Sequence, residues 1–267
     1  MGDPELPRPL LTPTGYLLDL DGTLYTDLGA TPGGPEVIAA LRVRGIPFRC
    51  VTNTTSRSRA GLARRLAALG YDITTAEIFT PVVAASAHCR AHGFRRVAAY
   101  FPPGALEDLE GVEVVGMDEA VDAVIVGDLG ESWDFTRMQA AFAQILGGAR
   151  VVALSRDRYF LKGGVLTLDA GAFVAGLEYA AGVEATVVGK PSLAFYGAAL
   201  AALHVDPANV AMVGDDLWSD IQGAQQAGAQ GWLVRTGKFR KETLAQSGIR
   251  PDRVVPSVAE LLVRAEG

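Results

Sequence analysis

Thiols and imidazoles are scarce in this chain, whose 267 residues include two cysteines and three histidines. Cys50 and Cys89 form no C-x-x-C pair and lie in no His-rich tract, so the sequence predicts neither a disulfide framework nor a zinc site. We expect both thiols to be small buried residues. His88, His92 and His204 lack metal-ligand spacing and are interpreted as surface or partly buried side chains.

An excess of positive charge is also missing, since 24 Lys and Arg residues oppose 30 Asp and Glu residues. Broad binding to nucleic acid or anionic membrane requires basic faces, so neither partner is expected. No apolar run approaches the roughly 20 residues that span a bilayer. Residues 1–13 lack the pattern of a signal peptide and are expected to be a flexible arm. The sequence thus predicts a cytoplasmic protein.

Two carboxylates lie two residues apart where the first apolar run of the chain ends. Asp19 and Asp21 follow the segment 16–18, and alternate residues of a strand point to the same side. Carboxylates aimed at one place repel each other unless a cation or a reacting group lies between them. Gly22 permits a sharp turn directly after the second acid. The pair is a candidate reaction centre, although a surface turn would show the same pattern.

Strand and helix patterns alternate from the start of the chain, which predicts an α/β fold with a doubly wound parallel sheet. Ligands of such sheets bind beyond the carboxyl ends of the strands. Asp19, Thr52 and Asp215 fall at predicted ends of this kind, and Ser56 is expected to be a helix N-cap. The predicted elements here are strands at 16–20, 47–52, 185–188 and 209–213 and helices at 35–44 and 56–69.

A second set of strands and helices fills the middle of the chain and carries different residues. It is predicted to form a separate α/β region inserted into the first. The predicted elements are helices at 82–92, 135–146 and 172–181 and strands at 96–101, 123–127 and 150–154.

Four short segments occur in order along the chain: DLDGT at 19–23, VTNT at 51–54, VGKPS at 188–192 and MVGDDLWSD at 212–220. Together they resemble the four motifs of the haloacid dehalogenase superfamily of phosphotransferases. GWLVRTGK at 231–238 is similar to the branch that contains 4-nitrophenyl phosphatases, NagD and phospholysine phosphohistidine inorganic pyrophosphate phosphatases. The resemblance covers roughly residues 14 to 240.

The resemblance implies a particular division of the chain. A Rossmann-like catalytic core is expected over 14–80 and 187–267, with an inserted cap of the C2 type over 81–186. The candidates for selecting the substrate are cap segments 155–159 and 169–172 and Lys162. Caps of this branch commonly pair, so a homodimer through the cap is a further expectation.

The resemblance also implies roles for the acids. Asp19 would attack phosphorus and form an aspartyl-phosphate, and Asp21 would protonate the leaving oxygen and then activate water. Mg²⁺ would be held by the Asp19 carboxylate, the main-chain carbonyl of Asp21 and Asp215. Asp216 and Asp220 would hold Asp215 or a water on the metal. Asp220 is also suited to capping the following helix.

The residues expected around the substrate are Thr52, Asn53, Thr54, Lys190 and Gly22. The Thr52 hydroxyl would donate to a phosphoryl oxygen, and the Asn53 amide would help to hold the substrate or the loop. The Lys190 ammonium would stabilise both the phosphate and the crowded carboxylates. Without the resemblance, an isolated lysine would be interpreted as a surface residue. Trp218 is interpreted as a packing residue.

These roles predict a Mg²⁺-dependent phosphatase that acts on small phosphorylated metabolites. Dehalogenases of the superfamily lack the second acid, so Asp21 favours phosphoryl chemistry. The alternatives are a phosphotransferase or phosphomutase and a pyrophosphate or P–N phosphatase. A phospho-accepting signalling module and a non-catalytic scaffold are the alternatives from other classes.

Overall fold

The computed structural model describes residues 11–162 and 165–263. Most of the predicted N-terminal arm, residues 1–10, lies outside the described residues. The chain divides into two compact units, of which the first ends at Phe48 and resumes at Leu200. The second unit runs from Arg49 to Ala199.

Strands and helices alternate along most of the described chain. The strands are β1 (Gly15–Asp19), β2 (Tyr25–Thr26), β3 (Gly29–Ala30), β4 (Phe48–Val51), β5 (Ile78–Phe79), β6 (Arg96–Tyr100), β7 (Glu113–Val114), β8 (Ala123–Val126), β9 (Arg150–Ala153), β10 (Tyr159–Lys162), β11 (Val165–Leu168), β12 (Thr186–Val187), β13 (Val210–Gly214), β14 (Gln230–Val234) and β15 (Arg253–Val255). The predicted strands are confirmed, with ends that shift by a residue or two.

The predicted helices are confirmed, and their ends shift by at most two residues except at the start of the helix predicted over 56–69, which begins at Arg59. The α-helices are α1 (Gly34–Val43), α2 (Arg59–Ala68), α3 (Pro81–Ala91), α4 (Phe135–Leu146), α5 (Ala170–Ala181), α6 (Leu193–Ala201), α7 (Gly223–Gln226), α8 (Lys241–Ser247) and α9 (Glu260–Val263). A π-helix covers Leu217–Gln222, and short 3₁₀ turns cover Thr75–Glu77, Pro103–Asp108, Gly130–Ser132 and Pro207–Asn209.

The first unit contains parallel strands in the order β15-β14-β13-β1. Strand β1 pairs with β13 from Gly15 opposite Val210 to Leu18 opposite Val213. Every residue of β1, β13 and β14 is buried, as expected for parallel strands covered on both faces. Because β1 and β13 are neighbours, the residues at their carboxyl ends lie side by side although they are far apart in sequence.

The second unit contains a five-stranded parallel sheet in the order β12-β9-β8-β6-β7. Its core includes Tyr100, whose ring stacks on Trp133 with centroids 5.8 Å apart. The Tyr100 hydroxyl donates to Gln144 Oε1 at 2.9 Å, and burial raises the pKa of Tyr100 to about 12. Strands β4 and β5 form a parallel pair, and β10 and β11 form an antiparallel hairpin. The predicted α/β class with parallel sheets is confirmed.

The N-cap of α2 is Ser58, so the prediction of Ser56 is wrong. Ser58 Oγ accepts from the main-chain N–H of Gly61 at 3.2 Å. Arg59, the first residue of the helix, donates through its main chain and its side chain to Asp108, at 2.7 and 3.1 Å. Because this anchor fixes the first turn at Arg59, the helix begins later than its capping pattern indicates.

The thiols and imidazoles lie as the sequence predicts. Cys50 and Cys89 are free and buried. His88 is half-buried, and His92 and His204 are exposed. Among the described residues, no helix is long and apolar enough to cross a membrane.

We expect neither thiol of the native protein to react with a chromogenic disulfide reagent at about pH 8. Cys50 is fully buried, and burial raises the pKa of Cys89 to about 11, which leaves little thiolate. Both thiols should react after unfolding in denaturant, which is the control. Rapid stoichiometric labelling of the native protein would contradict the buried positions.

Candidate active site

Three buried acids converge at the carboxyl ends of β1 and β13. Asp19 is the last residue of β1, Asp215 directly follows β13, and Asp220 lies in the π-helix. One carboxylate oxygen from each lies within 4.8 Å of the other two. Buried carboxylates at this separation repel each other unless a cation or a proton compensates them. An all-oxygen donor set of this kind fits Mg²⁺.

The turn after β1 is closely packed against Asp215. Gly22 has a φ of +88°, and a Cβ atom built on it would overlap Asp215 Oδ2. Glycine is therefore required here both by the left-handed backbone and by the lack of space. The sequence assigned Gly22 to substrate binding, and the structure places it against the predicted metal ligand.

Asp21 is held differently from Asp19. Strand β1 ends at Asp19, so the alternation of strand side chains does not determine the direction of Asp21. The hydroxyl of Tyr25 donates to Asp21 Oδ2 at 2.9 Å, and Asp21 is exposed. The Thr23 hydroxyl donates to Asp19 Oδ2 at 3.4 Å in buried surroundings. The two acids thus have separate supports: a buried threonine for Asp19 and a tyrosine for Asp21.

Asp216 caps the π-helix, a role that the sequence analysis considered for Asp220. Its Oδ1 accepts from the main-chain N–H groups of Trp218 and Ser219, both at 3.0 Å. Its Oδ2 pairs with Lys238 Nζ at 2.9 Å. Burial alone would raise the pKa of Asp216, but the Lys238 ammonium and these N–H donors outweigh it and lower the pKa.

Asp220 connects the capping residue to the acidic group. Its Oδ2 accepts from the main-chain N–H of Asp216 at 3.1 Å, and one of its carboxylate oxygens lies within 4.8 Å of those of Asp19 and Asp215. Asp220 therefore lies close enough to a cation at this group to contact it directly, besides the supporting role that the sequence predicts.

The other predicted site residues belong to the second unit and form a cluster of their own. Asn53 Oδ1 accepts from the main-chain N–H of Lys190 at 2.9 Å, and Asn53 Nδ2 donates to the Lys190 carbonyl at 3.1 Å. Thr52 and Lys190 are buried. Thr52 Oγ1 accepts from the main-chain N–H of Thr54 at 3.0 Å. Asn53 thereby joins the second motif to the third through the main chain of Lys190.

Two features of the first unit differ from the sequence analysis. The packing role predicted for Trp218 is wrong, because its side chain is 51% exposed. Leu217 and Ile221, one helical turn apart, are the residues that face the core here, and Trp218 lies off that face. Thr236 and Lys238 contact the acidic region but were assigned no role; their place in the motif at 231–238 was the available signal.

Comparisons with known proteins agree on one family. A family model described as haloacid dehalogenase-like hydrolase matches residues 16–115, and a HAD-hydrolase-like model matches residues 187–261. Haloacid dehalogenase-like hydrolase domain-containing protein 2 of Bos taurus is 38% identical over 84% of this chain and 85% of its own. Human phospholysine phosphohistidine inorganic pyrophosphate phosphatase is 34% identical over 92% of each chain.

Solved structures give the same result. The p-nitrophenyl phosphatase from Archaeoglobus fulgidus superposes with a TM-score of 0.88 and 30% identity, covering 95% of this chain and 100% of that one. NagD from E. coli K-12 superposes with a TM-score of 0.84 and 29% identity, covering 94% and 98%. The fold and the acidic site thus define an α/β phosphatase. The chain belongs to the haloacid dehalogenase-like hydrolases, and the NagD-like resemblance is confirmed.

Replacing Gly22 with alanine should reduce phosphatase activity about 100-fold, because the new methyl group must displace Asp215 and small misplacements of catalytic groups cost rates of that order. Gly29→Ala is the matched control: its φ of +115° is also left-handed, but a Cβ there meets nothing within 4 Å. Turnover and circular dichroism should be measured for both variants. Equal activities in the two variants would contradict the close packing of Gly22 on Asp215.

Proposed function

We propose that this phosphatase hydrolyses small phosphomonoesters in a Mg²⁺-dependent reaction, through an aspartyl-phosphate formed on Asp19. The observation that supports this most strongly is the convergence of three buried carboxylates at adjacent parallel strand ends. Mg²⁺ would be held by the carboxylates of Asp19 and Asp215 and the main-chain carbonyl of Asp21, with Asp220 in reach. When bound, it would neutralise the carboxylates and orient the phosphate.

Asp19 is the nucleophile in this proposal. One of its carboxylate oxygens forms a bond to phosphorus as the bond from phosphorus to the ester oxygen breaks. The hydrogen bond from Thr23 to Asp19 Oδ2 restricts rotation of the carboxylate and so favours one attacking oxygen. Water then attacks the phosphorus of the aspartyl-phosphate, which releases inorganic phosphate and restores Asp19.

Asp21 carries the proton in both steps. It gives a proton to the leaving ester oxygen in the first step and takes one from the attacking water in the second. The Tyr25 hydroxyl, 2.9 Å from Asp21 Oδ2, would keep the carboxyl group in one orientation through both transfers. The alkoxide that leaves from a phosphate ester is strongly basic, so it needs this proton more than a weakly basic leaving group does. The presence of Asp21 therefore favours P–O esters as substrates.

The roles of Thr52, Asn53, Thr54 and Lys190 toward the phosphate rest on the motif resemblance. Lys190 would supply positive charge to the phosphoryl oxygens and Thr52 a hydroxyl donor. The contacts of Asn53 with the main chain of Lys190 support this indirectly, because they fix the loop that carries the lysine. The division into a core and a cap that selects substrates is also part of the proposal, as are a cytoplasmic location and a cap-mediated homodimer.

The second candidate is a P–N or pyrophosphate substrate. It is favoured by the 34% identity to human phospholysine phosphohistidine inorganic pyrophosphate phosphatase, which extends over 92% of both chains. The family resemblance implies that the position of Asp21 can carry a serine in that group, whereas this chain has the acid. A substrate panel should therefore contain 4-nitrophenyl phosphate, metabolite esters, phospholysine and pyrophosphate. The panel should also contain alcohol acceptors, which would reveal phosphotransfer.

Asp19→Asn should lower turnover of 4-nitrophenyl phosphate by about 1000-fold or more, because the amide is a poor nucleophile. Asp27→Asn, at an exposed position in the same region, is the control and should retain wild-type activity. EDTA should abolish wild-type turnover, and added Mg²⁺ should restore it.

In Asp21→Asn, acid-quenched protein should carry phosphate on Asp19, detectable by mass spectrometry.

Two results would contradict the mechanism. The first is wild-type turnover that persists without metal, and the second is an Asp19→Asn variant that keeps its activity. A stable phosphoenzyme in the wild type, without turnover, would favour the signalling alternative. Folded protein with no phosphoenzyme and no turnover would favour a scaffold.

A further inference from the structure

The segment Thr236–Lys238 follows β14. It contacts the residues that follow β1 and those that follow β13. The Thr236 hydroxyl donates to the carbonyl of Gly22 at 2.5 Å. The main-chain N–H of Lys238 donates to Asp215 Oδ2 at 2.7 Å, and Lys238 Nζ pairs with Asp216 at 2.9 Å. All these residues belong to the first unit, so the segment joins the ends of β1, β13 and β14.

Gly237 closes the remaining space around Asp215. Its φ is +56°, and a Cβ atom there would overlap Asp215 Oδ2 and come within 2.6 Å of the Cα of Gly22. The Asp215 carboxylate is thus confined between two glycines, while the Lys238 N–H fixes which oxygen faces this segment. A carboxylate restricted in this way loses less rotational freedom when it binds a cation.

We propose that Thr236–Lys238 is a clamp that positions Asp215 for Mg²⁺, with Lys238 as its anchor. This inference rests on the proposed function, in which Asp215 is a metal ligand. Partners that orient a metal ligand typically change metal affinity by about 10- to 100-fold when they are removed. The clamp also gives a physical role to the threonine, glycine and lysine at 236–238, which follow the buried strand β14.

In this proposal Lys238 positions the segment 236–238 and adds little to the stability of the fold. Its side chain is 71% exposed, and ion pairs at exposed positions contribute little to folding. The Lys238 ammonium lies 2.9 Å from Asp216 Oδ2, so it can hold the segment to Asp216.

If Lys238 acted only through its charge, its removal would change the Mg²⁺ affinity in the opposite direction from the change expected for a positioning residue. By Coulomb's law, removing a positive charge near a cation site should tighten cation binding. Loss of the anchor should instead weaken it, because Asp215 gains freedom. The direction of the change in Mg²⁺ affinity therefore separates the two explanations.

The first test compares Gly237→Ala with Gly248→Ala. Both glycines have left-handed backbones, but a Cβ on Gly248 meets nothing within 4 Å. Calorimetric titration of the metal-free full chain with Mg²⁺, without substrate, should show affinity about 10- to 100-fold weaker for Gly237→Ala and unchanged for Gly248→Ala. Circular dichroism should show that both are folded. Wild-type affinity in Gly237→Ala would overturn the clamp.

The second test uses Lys238→Met and Lys238→Arg, with Lys241→Met as a control on a nearby exposed lysine. Lys238→Met should weaken Mg²⁺ binding about 2- to 5-fold, the range that an exposed ion pair supports, and Lys238→Arg should restore much of the loss because arginine can still pair with Asp216. The KM for 4-nitrophenyl phosphate at saturating Mg²⁺ should stay unchanged in Lys238→Met. The Lys241→Met variant should match the wild type in both measurements.

Four outcomes would overturn the inference. Tighter Mg²⁺ binding in Lys238→Met would show a charge effect, and a raised KM with unchanged Mg²⁺ affinity would make Lys238 a substrate-binding residue. Unchanged Mg²⁺ affinity in Lys238→Met and Gly237→Ala, beside a metal-dependent wild type, would remove the clamp and leave the proposed function intact. A wild type that neither binds nor requires Mg²⁺ would overturn both.

Discussion

Mutual repulsion between Asp19, Asp215 and Asp220 is the constraint on which the rest of the site depends. Three buried carboxylates with oxygens within 4.8 Å of one another are unfavourable unless positive charge compensates them. The surrounding structure holds them together nonetheless. Asp19 is fixed by the pairing of β1 with β13, Asp220 by a main-chain N–H, and Asp215 by the turns that pack against it.

The buried apolar surface of the strands that carry these acids stabilises this arrangement. The strands β1, β13 and β14 are buried along their whole lengths, and burial of apolar surface is the main favourable contribution to folding. The polar groups lie where these strands end. A rigid sheet thus provides fixed positions for side chains that would otherwise separate, which is the requirement for a preorganised catalytic site. In the second unit, Asn53 and Lys190 are joined by a comparable pair of main-chain contacts.

The sequence was sufficient to predict the α/β class, most strand and helix positions, and the location of Asp19 and Asp215 at strand ends. These features follow from periodicity and from the topology of parallel sheets. The contacts of Lys238 could not be predicted in this way, because they depend on how the segment after β14 lies across its neighbours. The exposure of Trp218 follows from which neighbouring residues, Leu217 and Ile221, pack into the core. Ser58 replaces Ser56 as the cap because Asp108, distant in sequence, anchors Arg59.

The most direct test of the metal site is the melting temperature of the metal-free protein with and without Mg²⁺, for the wild type and for Asp215→Asn. Binding to the folded state alone should raise the melting temperature of the wild type as Mg²⁺ is added. Asp215→Asn should melt no lower than the metal-free wild type, because repulsion is relieved, and should respond little to Mg²⁺. A wild type whose melting temperature does not change with Mg²⁺ would contradict a cation site formed by these three acids.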